Sequence, residues 1–157
     1  MSRTLSATAR AALFAQQTGQ ALLTLLEIDH PDLDAPIRVV NNTENIVSGG
    51  VTFCACAFDV PPPDDLSEAP PSVTLSICNV DRSITYALES IASPPTIKMW
   101  VIVGSTPNVE EIGPIEFSLL AVSYDVLTIE CTLGFEPILN ESIPGHSFTP
   151  DLFPGIF

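Results

Sequence analysis

Hydrophobic and polar positions along the chain alternate with a period of two more often than they follow the period of a helix. Residues 72–79 are the clearest case, with Val73, Leu75 and Ile77 on one side and Ser72, Thr74 and Ser76 on the other. That alternation predicts a half-buried strand, because successive strand side chains point to opposite faces. Residues 20–30 are rich in leucine and end with Leu26 and Ile28 set against Glu27 and Asp29, before Pro31 and an Asp-rich turn. They predict a second strand, paired with residues 36–40 in a hairpin across Asp32, Leu33 and Asp34. After a turn at 41–45, residues 46–48 and 51–53 flank Gly49-Gly50, which suits a primed turn and predicts a tight hairpin. Residues 96–105 are rich in β-branched and aromatic residues and predict a central strand. Residues 114–125 and 126–135 predict a hairpin turning at Tyr124-Asp125, with Leu127, Ile129, Cys131, Leu133 and Phe135 on one face of its second arm.

Helical spacing appears twice. Across residues 4–17, Leu5, Ala9, Ala12 and Leu13 share a face, Thr4 or Ser6 can cap the start and Gly19 can end it, so residues 1–19 carry an N-terminal helix. Across residues 84–92, Ile84, Leu88 and Ile91 share a face, with Asp81 or Ser83 as the cap and Pro94-Pro95 as the stop. Two stretches fit neither period. Residues 61–71 hold five prolines with Asp64, Asp65 and Glu68, and predict a long surface loop. Residues 148–157 form an extended apolar tail containing Phe148, Leu152, Phe153, Pro154, Ile156 and Phe157. Left wet, such side chains would each cost about 1.5–3 kcal/mol, so the tail either folds back on its own domain or docks on a neighbouring subunit. The whole, residues 1–157, reads as one mainly β domain with two short helices.

Composition sharpens this picture. Apolar residues make up 46% of the 157, yet charged residues only 15%, and 19 acids face 5 bases for a net charge of -14. The mean hydropathy is +0.36. Thin charge on an apolar composition implies that subunit contacts cover part of the surface. Five cations are too few for a phosphate-gripping face, so specific nucleic-acid binding is not expected. The longest apolar stretch, residues 21–28, is far below the roughly 20 residues of a membrane span. Arg3 and Arg10 flank small residues, but residues 11–15 are too short for a signal-peptide core, and no targeting signal is expected.

Candidate chemistry is sparse. Cys54 and Cys56 are two apart, which on a strand aims both thiols the same way; Cys78 and Cys131 meet them only through the fold. Four thiolates could hold zinc or an iron–sulfur cluster, but the paired C-x2-C spacing is missing, and buried cysteine also packs as a small apolar residue. Asp29, Asp32 and Asp34 share a turn that could attract calcium but lack the glycine and terminal glutamate of an EF-hand loop. His146, Ser147 and Asp151 could be assembled into a hydrolytic set, although neighbouring residues rarely orient as nucleophile and base. No phosphate loop, nucleophile elbow or dinucleotide fingerprint is present, so no catalytic residue and no cofactor are expected. Arg82, in the Asn79-Val80-Asp81-Arg82-Ser83 junction, either pairs locally with Asp81 or contacts another subunit.

The order PSVTLSICNVDRSI (71–84), PPTIKMWVIVGSTP (94–107), SYDVLTIECTLGFEPILNE (123–141) and FTPDLFPGIF (148–157) resembles a family of small tail proteins of long-tailed bacteriophages and prophages. That family is similar to the N-terminal hub domain of the lambda-type minor tail protein L and of gene-transfer-agent hub proteins. The resemblance implies a partly open β-barrel or sandwich-like hub domain. It also implies a structural role in the tail tip or baseplate, as a ring of three or six copies joining the distal tail tube to central hub and tip proteins. Phe148, Leu152, Phe153, Pro154, Ile156, Phe157 and Arg82 would then serve as interface residues. In those relatives the iron–sulfur cluster belongs to a separate C-terminal domain, so Cys54, Cys56, Cys78 and Cys131 are not assigned a metal. The expected location is the virion, after synthesis in the bacterial cytoplasm, with DNA passing through an acidic lumen. A receptor- or glycan-binding tail accessory module is the alternative, and would want exposed aromatics from a chain with one Trp and two Tyr.

Overall fold

The computed structural model describes residues 5–60, 72–79 and 82–134. The loop at 61–71 and the tail at 148–157, with its Phe148, Leu152, Phe153, Pro154, Ile156 and Phe157, lie outside the described residues, as do Asp81, His146, Ser147 and Asp151.

The chain runs α1 (Ala7–Phe14), β1 (Leu22–Asp29), β2 (Ile37–Val40), β3 (Ile46–Ser48), β4 (Val51–Ala55), β5 (Phe58–Asp59), β6 (Ser72–Cys78), α2 (Ser83–Ser90), β7 (Thr96–Val103), β8 (Thr106–Tyr124) and β9 (Thr128–Gly134). The fold is mainly β, as the alternation requires. The strands form one sheet in the order β3-β4-β2-β1-β7-β8-β9-β6-β5. The sheet is open and does not close into a barrel. Its two ends are nonetheless joined along the chain at the corner between β4 and β5. There Cys56 N donates to Val40 O on β2 at 3.0 Å, and Ala57 O accepts from Cys78 N on β6 at 2.9 Å.

The curl has a simple cause. β1 pairs with β7 along its whole length, from Leu22↔Val103 to Asp29↔Thr96. Leu23 and Leu25 on one face and Leu26 and Ile28 on the other are all buried. Both faces need cover, and one flat sheet cannot supply it. Leu23 and Leu25 join Val40, Phe53 and Ile102 in a small core, with Trp100 packed against it. The β3–β4 hairpin folds over that core and is tied to β8, where Ser48 Oγ donates to Pro107 O at 2.6 Å and Gly49 N donates to Asn108 Oδ1 at 3.0 Å. On the other face, Leu26 and Ile28 join the larger core with Leu75, Ile77, Phe117, Ile129 and Leu133, capped by Ile84 and Leu88 of α2. Each large side chain buried this way contributes about 1.5–3 kcal/mol.

Local chemistry sets the corners. Gly49 and Gly50 both have positive φ, 58° and 80°, which gives the primed turn that the Gly-Gly pair predicts. Residues 106–113 join β8, extending the strand well before Pro114. The extension depends on Gly113, at φ 110°, where a Cβ would meet Met99 O at 2.6 Å; the β7–β8 register also shifts between Met99 and Val101. This irregularity accommodates a proline within a strand. Among the described residues no helix is long and apolar enough to cross a membrane.

Helix α1 is shorter than the periodicity predicts but starts where expected. Ser6 is its N-cap and accepts from Ala9 N at 3.1 Å. The same residue fastens the helix to β8: Ser6 N and Oγ donate to the two carboxylate oxygens of buried Glu111 at 2.8 and 2.6 Å. Ser6→Ala removes the cap and one of these charge-assisted bonds, and is expected to weaken α1 by about 1–2 kcal/mol. Hydrogen exchange should accelerate across α1 while β1 and β7 stay protected; unchanged exchange in α1 would contradict this fastening.

Candidate functional site

The junction between β6 and α2 lies beside both an exposed hairpin tip and a cavity. Asn79 ends β6 and is 6% exposed. Its N–H donates to Leu127 O at 2.8 Å, its Nδ2 donates to Asp125 O at 3.0 Å, and its Oδ1 accepts from Thr85 Oγ1 at 2.6 Å. One amide side chain thus ties the strand end, the β8–β9 turn and helix α2 together. An amide suits this position because it is donor and acceptor at once.

The turn that Asn79 holds is unusual. Asp125 N donates to Thr128 O at 2.8 Å, and Val126 N donates to Asp125 Oδ1 at 2.7 Å. Val126 and Leu127 therefore form the hairpin tip, 69% and 65% exposed. Glycine, asparagine and aspartate are the usual choices there. The expectation that Leu127 lies on the inner face with Ile129, Cys131 and Leu133 is corrected: the strand begins at Thr128, and Leu127 belongs to the turn. Tyr86 and Leu120 are exposed as well.

On the other side of the junction, a cavity of about 380 Å³ opens between β2, β4 and the start of α2. Arg38, Arg82, Cys54, Cys56 and Cys78 all line it. Cys54 and Cys56 face the same space, as their spacing predicts, and the fold adds Cys78. Cys131 is buried in the main core and does not line the cavity. No group of three or more His, Cys, Asp or Glu side chains among the described residues is arranged to hold a metal ion. The Asp29, Asp32 and Asp34 turn is occupied with structure: Asp32 N donates to Nδ1 of buried His30, whose Nε2 lies 2.6 Å from Ser93 Oγ.

Arg82 stands at the N-cap position of α2 in the left-handed region, φ 53° and ψ -1°, with no side-chain cap. This corrects the expectation that Asp81 or Ser83 caps the helix: Ser83 is already helical, and Thr85 is held by Asn79 instead. Arg82 makes no ion pair with a described residue, whereas Arg38 Nε donates to Glu27 Oε2 at 2.6 Å and Lys98 lies 4.0 Å from Glu116.

Residues 8–148 match the family described as Domain of unknown function (DUF1833). The chain belongs to that family. The matched span of DUF1833 includes the Asn79 junction, the cavity and the hairpin tip. No curated protein matches the chain.

The sequence of this DUF1833 chain marks Arg82, the cysteines and the junction that begins at Asn79, but not the three-way bonding of Asn79 or the apolar tip. The available signals were an asparagine at the end of an alternating strand, and two large apolar residues directly after an aspartate.

Two outcomes follow. Asn79→Ala leaves the Thr85 hydroxyl and the Asp125 carbonyl without their partner, and is expected to lower unfolding stability by about 2–3 kcal/mol in denaturant titration. A loss below about 0.5 kcal/mol would contradict the junction's role. Burial pushes the Cys131 thiol from 9.0 up to about 11. The unfolded chain then loses this proton first, so stability is full below the unfolded value and falls as pH rises through the folded one. Relative to Cys131→Val, the wild type is expected to lose up to about 2–3 kcal/mol between these two pH values. Parallel pH curves for the two proteins would contradict it. Tyr124, raised by burial and then by Glu89 and Cys131, shifts in the same direction in the wild type.

Proposed function

We propose that this protein is a structural component of the tail tip or baseplate of a long-tailed phage or prophage. In this reading a ring of three or six copies connects the distal tail tube to the central hub and tip proteins. The reading draws on the resemblance of its motif order to that tail-protein family. The single observation that carries it is the Val126–Leu127 tip, two large apolar side chains set at an exposed turn and braced by hydrogen bonds to Asn79 and Thr128. Exposed there, they add little to the cores formed by the described residues. Covered by a neighbour, they contribute about 1.5–3 kcal/mol each with little ordering cost, because the turn is already held.

The excess of acids suits a wall beside passing DNA, since like charge discourages adhesion. The virion is the expected location. The glycan-binding alternative rests on exposed aromatics: Tyr86 and Tyr124 are exposed, whereas the one tryptophan, Trp100, is half-buried against Phe53 with ring centroids 6.2 Å apart.

The test uses the tagged full chain supplied in the phage-producing host. Wild type is expected in purified particles, labelled at the distal end of the tail. Leu127→Glu, at an exposed site, is expected to keep its melting temperature but to enter particles at least about tenfold less. Absence of the wild-type chain from particles, or incorporation of Leu127→Glu at the wild-type level, would contradict the proposal.

A further inference from the structure

The cavity beside α2 runs against the charge of the whole chain. With 19 acids and 5 bases, the chain is strongly acidic overall. Yet Arg38 and Arg82 both line this cavity and no described acid does. Arg38 is already paired through Nε with Glu27, its cross-strand partner on β1, on the face of β2 that carries Val40, so Arg82 is the lining cation without a described partner. Arg82 is exposed and pairs with no described acid.

The backbone at Arg82 adds a second, independent observation. Among the described residues it is the one non-glycine with positive φ, and it starts a helix without a side-chain cap. Glycine or asparagine would fit that conformation with less strain, and serine or aspartate would cap better. An arginine that gains neither fit nor an ion pair with a described residue leaves its guanidinium open to a group outside the described chain. Guanidinium groups select carboxylates through paired N–H donors, and the cavity is walled by Val39, Ile84 and thiols, which raises the strength of a charge pair formed inside it.

We propose that this cavity is a carboxylate socket that receives an acidic side chain from a second copy of this chain. The proposal rests on the reading of the protein as an assembly subunit and names the partner at one of its faces. A second copy is the occupant that charge complementarity favours, because nearly four of every five charged residues it presents are acids. The contact is heterologous: the socket on one copy meets an acidic surface elsewhere on the next. Repeated around an axis, such contacts close a ring. They also offset the mutual repulsion of subunits that each carry a net charge of -14.

The test measures self-association of the purified full chain by sedimentation, alongside maleimide modification of the exposed Cys54 resolved by tandem mass spectrometry. Cys131 is buried and its thiol is held protonated, so it does not compete in the labelling. Arg82→Gly removes the guanidinium while suiting the backbone, so its melting temperature should be no lower than wild type. It is expected to weaken association about tenfold, and Arg82→Glu more. In assembled wild type, Cys54 should react about tenfold more slowly than in dilute monomer, and association should weaken with salt less steeply in Arg82→Gly than in wild type.

Four results would overturn the socket: a wild type that stays monomeric, association unaffected by Arg82→Gly, Cys54 equally reactive in both states, or Cys54 already shielded in dilute monomer, which would place the acid on the same chain. Failure of the socket and failure of the tail-tip reading are separable. Tail incorporation with Arg82-independent association rejects the socket alone. Arg82-dependent association by a chain that never enters particles rejects the tail-tip reading alone.

Discussion

Strand β1 is buried on both faces, and that constraint shapes the rest of the structure. Leu23 and Leu25 need cover on one side and Leu26 and Ile28 on the other. A short hairpin supplies the first cover by bending over to β8. Strands β5, β6 and β9, with α2 above them, supply the second. The corner at Cys56 and Ala57 sends one continuous stretch of chain from one end of the sheet to the other. The result is a tightly curled sheet that remains open.

That curl determines what is left at the surface. Bringing the end of β6 against the β8–β9 turn places a polar group at a buried three-way junction, where an unpaired amide would be costly. Asn79 meets the demand by bonding to all three elements. The same bonds fix the turn, so its exposed Val126 and Leu127 are presented on a stiff support. The cavity beside α2 is another product of the junction, since α2 starts where β6, β2 and β4 come together. An apolar projection and a basic recess on one small acidic body are complementary resources for assembly.

Much of this architecture was legible in the sequence. Alternation placed β6 with its inner Val73, Leu75 and Ile77, and Gly49-Gly50 placed the hairpin, because both signals are local. The first half of β8 was not legible: residues 106–113, with Pro107, Glu110 and Glu111, carry no strand alternation and predict no element, and pairing with β7 and the bend at Gly113 draw them into the strand. The tip was missed because alternation runs on through Leu127, and only bonds from Asn79 and the closing Asp125–Thr128 contact mark the turn. The site was half visible: the spacing of Cys54 and Cys56 gave their shared direction. The joining of Arg38 to Arg82 needs the curled sheet, and a left-handed arginine has no local signature.

The proposed role as a packed subunit draws on three physical features: little charge for the apolar content, a braced apolar tip and a basic recess on an acidic body. The most direct measurement is a cryo-electron microscopy reconstruction of the distal tail of particles carrying the tagged chain. The account predicts a closed ring of this protein around the tail axis, with Val126 and Leu127 buried against a neighbour. A reconstruction in which the chain is present but its Val126–Leu127 tip points into solvent, or in which no ring of the chain surrounds the axis, would contradict it.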